Sequence, residues 1–186
     1  IPRSLALVMC GDLDLSEIDE LPGGRKPIQT LVEPADRREN VYNVVRKEIK
    51  KGRQAFIVFS LIDGSSAVEA RAAVEEHLRL STQVFPDLTV GLLHGRMTLK
   101  EKELVMESFR EGSLQILVAT AVVEVGVDVP NASVMFIDGA DRFGLAQMHQ
   151  FRGRVGRGVH QSLCILMAEK PGENAIARMD ALRKNP

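Results

Sequence analysis

The sequence predicts an α/β fold, a mostly parallel sheet with helices on both of its faces, and three observations carry that prediction. Short, almost wholly apolar runs recur along the chain: AFIVF at 55–59, TVGLL at 89–93, LQILVA at 114–119, VMFID at 134–138 and SLCILM at 162–167. Strands that read as continuous apolar runs are covered on both faces, the condition of a parallel sheet. Segments with helical spacing separate most of these runs, the alternation expected of layered α/β domains. Finally, 186 residues with 45% apolar side chains suffice for one domain with an ordinary core.

Taken in order, residues 1–27 (IPRSLALVMCGDLDLSEIDELPGGRKP) pass from a short apolar stretch through acids to a Pro/Gly-rich break. With no domain to pack on, their Leu5, Leu7 and Val8 are expected to be mobile or to seek cover from a neighbouring molecule. Asp36 is placed to cap a helix whose Val41, Val44, Val45 and Glu48 follow helical spacing and which closes at Lys50–Gly52. The strand at 55–59 follows, then a helix from Ser66 and a strand at 89–93. Thr98 should cap the next helix, TLKEKELVMESFREG, which Gly112 closes, with Met106 and Phe109 in the core. Strands at 114–119 and 134–138, a helix from about Leu145, a strand at 162–167 and a helix from about Glu173 complete the series.

Composition removes several functions. Charged residues make up 26% of the chain and nearly cancel, to a net −1, so a uniformly basic nucleic-acid coat is excluded and any DNA contact needs basic residues gathered on one face. No Trp, one Tyr and seven Phe argue against a base-stacking platform. No apolar run reaches the ~20 residues of a membrane span, and the start lacks a signal-peptide pattern. Cys10 and Cys164 read as buried thiols, and the four histidines lack zinc-ligand spacing.

Sheets of this kind bind ligands beyond the carboxyl ends of their strands, which gives priority to Ser60, to His94 and Gly95, and to Thr120. His94-Gly95 can offer an imidazole and a backbone N–H to a phosphate; a structural histidine is the plain alternative. Residues 116–129 (ILVATAVVEVGVDV) would extend about 46 Å as one strand, at about 3.3 Å each, so the segment should bend after Thr120 and again at Gly126. Thr120, Glu124 and Asp128 then fall near strand ends, either in a buried turn or in a loop that touches ligand through Thr120 and Asp128. In QMHQFRGRVGRG (147–158), read as helix, Arg154 and Arg157 share a face, as do Gly153 and Gly156. Each glycine costs about 1 kcal/mol relative to Ala in a helix, which implies that something approaches the backbone closely. Paired guanidinium forks suit a phosphate chain; the alternative is a solvated basic helix end. With no GxxxxGK[ST] in the sequence, the chain alone should not hydrolyse ATP.

VFS (58–60), LLHGRM (92–97), ATAVVEVGVDVPNA (119–132) and QFRGRVGR (150–157) resemble, in order, motifs IV, IVa, V and VI of the second RecA-like domain of superfamily 2 helicases. RFGLAQMHQFRGRVGRG and the opening IPRSLALVMCGDLDLSEIDELPGGRKPI are similar to the RecG family, with the transcription-repair coupling factors as the near alternative. A stand-alone phosphate- or DNA-binding module is the rival from another class. The resemblance implies a RecA-like three-layer domain at 31–186, preceded at 1–30 by a remnant of a first motor domain and a crossover. It implies an ATP-dependent double-stranded DNA translocase of the bacterial cytoplasm, acting on stalled forks and Holliday junctions in recombination and repair. Its partners would be branched DNA, the first motor and wedge domains of the same protein, and a single-stranded DNA-binding protein, with no membrane. ATP and Mg2+ would be held mainly by the first motor domain and not by this chain. Arg154 and Arg157 correspond to arginine fingers; Gly126, Asp128, Gln150 and Gly153 to the nucleotide side; and Ser60, His94, Gly95, Arg96 and Thr120 to the DNA side. No residue corresponds to a metal ligand.

Overall fold

The apolar runs assemble into one six-stranded sheet in the computed structural model, which describes residues 26–60, 66–120 and 129–184. Its strands are β1 (Gln29–Pro34), β2 (Gln54–Phe59), β3 (Val90–Leu93), β4 (Ile116–Ala119), β5 (Ala132–Asp138) and β6 (Leu163–Ala168). They lie in the order β1-β6-β5-β2-β4-β3, every neighbouring pair parallel. Every residue of β2 and β4 is buried, as strands covered on both faces require.

Helices α1 (Arg38–Lys50) and α2 (Ser66–Arg79) cover one face; α3 (Leu99–Arg110), α4 (Leu145–Arg152) and α5 (Glu173–Lys184) cover the other. Alternate strand residues point to opposite faces, and two cores result. Tyr42, Val45 and Phe85 pack on Ile57, Val118 and Phe136. On the other side Met106, Phe109, Met148 and Leu182 pack on Phe56, Leu117 and Met135. The single described cysteine, Cys164, lies within the second core, where burial pushes its thiol up to about 12 against the opposing charge of Arg152. No helix among the described residues is long and apolar enough to cross a membrane.

Thr98 caps α3 as expected, its Oγ1 accepting from the Glu101 N–H while a Glu101 carboxylate oxygen accepts from the Thr98 N–H at 2.7 Å. Gly112 closes the helix at φ +84. Two expectations need correction. Asp36 does not cap α1: it lies inside a 3-10 turn, Ala35–Arg37, and Arg37 occupies the cap position without a side-chain capping bond. Pro34 ends β1 in extended backbone and the chain coils at once, so the turn absorbs the helix entry. β1 itself was not anticipated. It is an outer strand in which only Thr30 is buried, and it ends on a proline, so it lacks the apolar run of the inner strands. The expectations for residues 1–25, Cys10 included, and the bend within 121–128 lie outside the described residues.

Because all six strands run the same way, the sheet has one carboxyl edge and one amino edge. The chain leaves β4 at the carboxyl edge, at Thr120, and enters β5 from the amino edge, at Val129.

Candidate functional site

Three of the carboxyl-edge candidates come together because β2, β4 and β3 are neighbours. Ser60 follows β2, Thr120 follows β4 and His94 follows β3. The Thr120 N–H donates to the Leu93 carbonyl at 3.2 Å, and the Ser60 N–H to the Asp138 carbonyl at 3.1 Å. The His94 Nδ1 is buried without a hydrogen-bond partner. Burial holds the His94 imidazole below its ordinary value; Glu101 opposes this, while Lys102 and Arg96 add to it. Gly95 and Arg96 are exposed, and the Lys102 ammonium reaches the Gly95 carbonyl at 3.4 Å. With exposed Lys100, these residues make a basic bank at the start of α3.

Ser60 marks a boundary. On its other side a cavity of about 780 Å³ opens above β2 and β5, lined by Arg38, Glu75, Asp138, Asp141 and Glu169 among others. The Arg38 guanidinium grips the Asp138 carboxylate with two bonds, the Nη2–Oδ1 one at 3.0 Å. Burial works to lower the Arg38 pKa, and the bonds to Asp138 outweigh it, so the guanidinium is held above its ordinary range. Carboxylates outnumber cations in this lining, which disfavours a phosphate chain there.

The arginine segment sits at the opposite, amino edge, and its conformation differs from expectation. α4 stops at Arg152, Gly153 is its C-cap, and residues 153–158 form a loop, so Arg154 and Arg157 do not share a helical face. Gly156 adopts φ +76, which no helix permits and which glycine tolerates without steric cost. The close approach implied by the glycines is made by the protein's own chain. A Cβ on Gly156 would lie 2.7 Å from Cγ1 of Ile28, and one on Gly158 would lie 2.3 Å from the Pro130 carbonyl oxygen. The Arg157 Nε donates to the Gly153 carbonyl at 2.9 Å. Arg154 is half-buried, and its guanidinium has no hydrogen bond or ion pair to the described residues. Gln150 is exposed on the last turns of α4 and Gly153 is exposed beside it. Gly126 and Asp128 lie outside the described residues.

Sequence reasoning passed over Arg152. It is 9% exposed, donates to the Leu182 carbonyl at 2.8 Å and meets His149 Nδ1 at 3.2 Å, tying α4 to the end of α5. Met148, Phe151 and Val155 follow helical spacing with Arg152 beside them, which was the available signal. A second missed group supports the amino edge. Glu48, 7% exposed, binds Lys51 at 2.6 Å, Arg53, and the Ser133 hydroxyl at 3.1 Å. Asn131 Nδ2 donates to the Gly52 carbonyl at 3.0 Å and to Gln54 Oε1 at 3.2 Å.

A parallel sheet with helices on both faces, a basic bank at one edge and an arginine loop at the other define a RecA-like helicase C-terminal domain. Residues 36–159 match the helicase conserved C-terminal domain, and the chain belongs to that family. Within it, likeness to RecG extends over the whole chain. Identity to the ATP-dependent DNA helicase RecG of Synechocystis sp. is 50% over 185 residues, covering 100% of this chain and 22% of that protein. For the RecG of Thermotoga maritima it is 51% over 179 residues, covering 96% and 23%. The structure of RecG bound to a three-way DNA junction superposes with a TM-score of 0.82 at 49% identity, over 100% of this chain and 24% of that one. The chain thus spans about a quarter of the length of the RecG proteins it matches.

Proposed function

We propose that this chain is the second motor domain of an ATP-dependent double-stranded DNA translocase of the RecG type. In the whole protein it would act on branched DNA, stalled forks and Holliday junctions, in the recombination and repair of a bacterial cytoplasm. The observation that carries the reading is the arginine loop, which holds Arg154 and Arg157 together in a chain half identical to RecG from end to end. Residues 31–186 form the motor domain in this reading, and residues 1–30 connect it to the first.

The loop's guanidiniums suit the phosphate chain of ATP, and so do neighbouring Gln150 and Gly153, with Gly126 and Asp128 completing the nucleotide side. Mg2+ asks for oxygen ligands such as carboxylates. In this reading Mg2+ would be held by first-domain residues together with the phosphates of ATP; among the described residues no group of three His, Cys, Asp or Glu is gathered as a metal site. ATP supplies the phosphoryl transfer. Arg154 and Arg157 would stabilise the charge that builds on the transferring group, where an arginine acts most strongly. Ser60, His94, Gly95, Arg96 and Thr120 would hold the DNA backbone at the carboxyl edge. A neutral His94 beside a backbone N–H contributes a hydrogen bond there, and Arg96 supplies charge.

Two preparations test this reading. The full-length protein should hydrolyse ATP faster with a three-way junction present and should unwind that junction. The 186-residue chain alone should hydrolyse none and bind DNA weakly, with affinity falling steeply as salt rises. Hydrolysis by the isolated chain, or tight salt-insensitive binding, would overturn the half-motor assignment.

A further inference from the structure

The two glycines of the arginine loop rest on two different parts of the chain. Gly156 faces Ile28, immediately before β1, with φ +76 and room for no Cβ. Gly158 has no left-handed backbone; what excludes a side chain there is the Pro130 carbonyl oxygen alone. Both supports are themselves fixed. Gln161 Nε2 donates to the Pro27 carbonyl at 2.6 Å and the Gln29 N–H to the Ser162 carbonyl at 3.0 Å, binding the Ile28 segment to the far end of the loop. Beside Pro130, Asn131 is held by Gly52 and Gln54, and the Ala132 N–H donates to the Val129 carbonyl at 3.0 Å.

We propose that Gly156 and Gly158 are positioning residues for ATP hydrolysis, seating the loop that carries Arg154 and Arg157 on Ile28 and on the Pro130 carbonyl. The inference rests on the reading of those arginines as fingers. Arg154 has no side-chain bond to the described residues, so among them the place of its guanidinium follows from where the backbone lies. The two supports belong to segments with different destinations. Pro130 ends the connection that leaves the carboxyl edge at Thr120, and Ile28 ends the segment entering the domain. A displacement of the Pro130 carbonyl reaches the loop through a backbone contact, and one of Ile28 through its side chain.

The size of the effect follows from the geometry. An alanine Cβ at position 158 would have to withdraw by about 1 Å to reach ordinary contact with the Pro130 oxygen, and a 1 Å misplacement costs on the order of 10² in rate. In the full-length protein, saturated with a three-way junction, Gly158→Ala should therefore lower kcat about 100-fold while KM for ATP and affinity for DNA change little. Gly156→Ala should lower kcat as well. Adding Ile28→Ala to it should recover part of the loss, because it removes the Cγ1 and Cδ1 atoms that the new methyl meets. Gly112→Ala is the control: φ is +84 there but nothing lies within 4 Å, so it shares the backbone strain and should keep wild-type kcat per folded molecule. A purely structural role would lower melting temperature and folded fraction without changing kcat per folded molecule, and Ile28→Ala would rescue nothing.

Wild-type kcat in Gly158→Ala, or no recovery on adding Ile28→Ala to Gly156→Ala, overturns the proposal. Should Gly158→Ala fail to fold, the Gly156–Ile28 pair decides by itself. Arg154→Ala and Arg157→Ala, assayed alongside, separate the two levels. Slow hydrolysis in them with normal Gly158→Ala refutes the seat alone, and normal hydrolysis in them refutes the finger reading beneath it.

Discussion

The two edges of the sheet present their cations under opposite constraints. At the carboxyl edge Arg96 and Lys100 stand in solvent, while Lys102 makes one long bond to a carbonyl. At the amino edge the arginine loop is fitted to its floor within van der Waals contact, and the floor is braced by the buried Glu48–Arg53–Ser133 and Gln54–Asn131 bonds. Loose cations tolerate a partner that moves past them, as a phosphate backbone does along a translocase. A group that must meet one phosphorus atom at one instant gains from being held. The contrast teaches that mutations at the two edges should fail in different ways.

The largest expected effect is at the amino edge. Arg154→Ala or Arg157→Ala in the full-length protein should slow junction-stimulated ATP hydrolysis by about 10³–10⁵, the usual worth of an arginine finger, or about 4–7 kcal/mol of barrier. DNA binding without nucleotide should persist, and Lys should not substitute, since one ammonium cannot reproduce the fork. Turnover and nucleotide affinity measured together check this; unchanged turnover would erase the distinction between the edges. Next comes stability. Glu48→Ala strands the Arg53 charge beneath the amino edge and should cost about 3 kcal/mol, the lower end for breaking a buried ion pair, read from denaturant unfolding. Burial pushes the Glu48 carboxyl up, but bonds from Lys51, Arg53 and Ser133 prevail and hold it below its ordinary value. Its contribution is therefore present above the unfolded carboxyl value and lost as pH falls through the acid range.

Arg96→Ala makes the converse test. It should leave unfolding within about 0.5 kcal/mol of wild type, yet weaken DNA binding on all sequences alike and reduce the log–log salt slope by about 1. The smallest effect concerns His94. Its folded pKa lies below the ordinary 6.5, so the unfolded chain takes up a proton that the folded one resists, and stability falls as pH drops below that value. His94→Asn should flatten the melting temperature between pH 7 and 5, retaining the share due to His149, which burial and Arg152 also hold low.

The carboxyl edge was legible in the sequence because continuous apolar runs mark parallel strands, and the polar residue after each run is then at an edge. Ser60, His94 and Thr120 emerged that way, and the sheet brings them together. The amino edge was harder. The 148, 151, 155 spacing extends the helical pattern past Arg152, and nothing local reveals that Gly156 turns left-handed. Gly156 did signal a close approach, but the group it meets, Ile28, is far away in sequence, and Gly158, which meets Pro130, carried no signal of its own. Glu48 falls at helical spacing with Val41, Val44 and Val45, but the hydroxyl that binds it, on Ser133, lies 85 residues away. β1 was hidden by its half-exposed, proline-ended sequence.

Cys164 has a use outside the proposed chemistry. Its thiol is fully buried near the start of β6 and raised to about 12, so almost no thiolate is available to an alkylating reagent near neutral pH. Modification then has to wait for the sheet to open. With Cys10 replaced by Ser, the labelling rate at low reagent follows the fraction of time the β6 region is open under native conditions, and at high reagent it levels off at the opening rate.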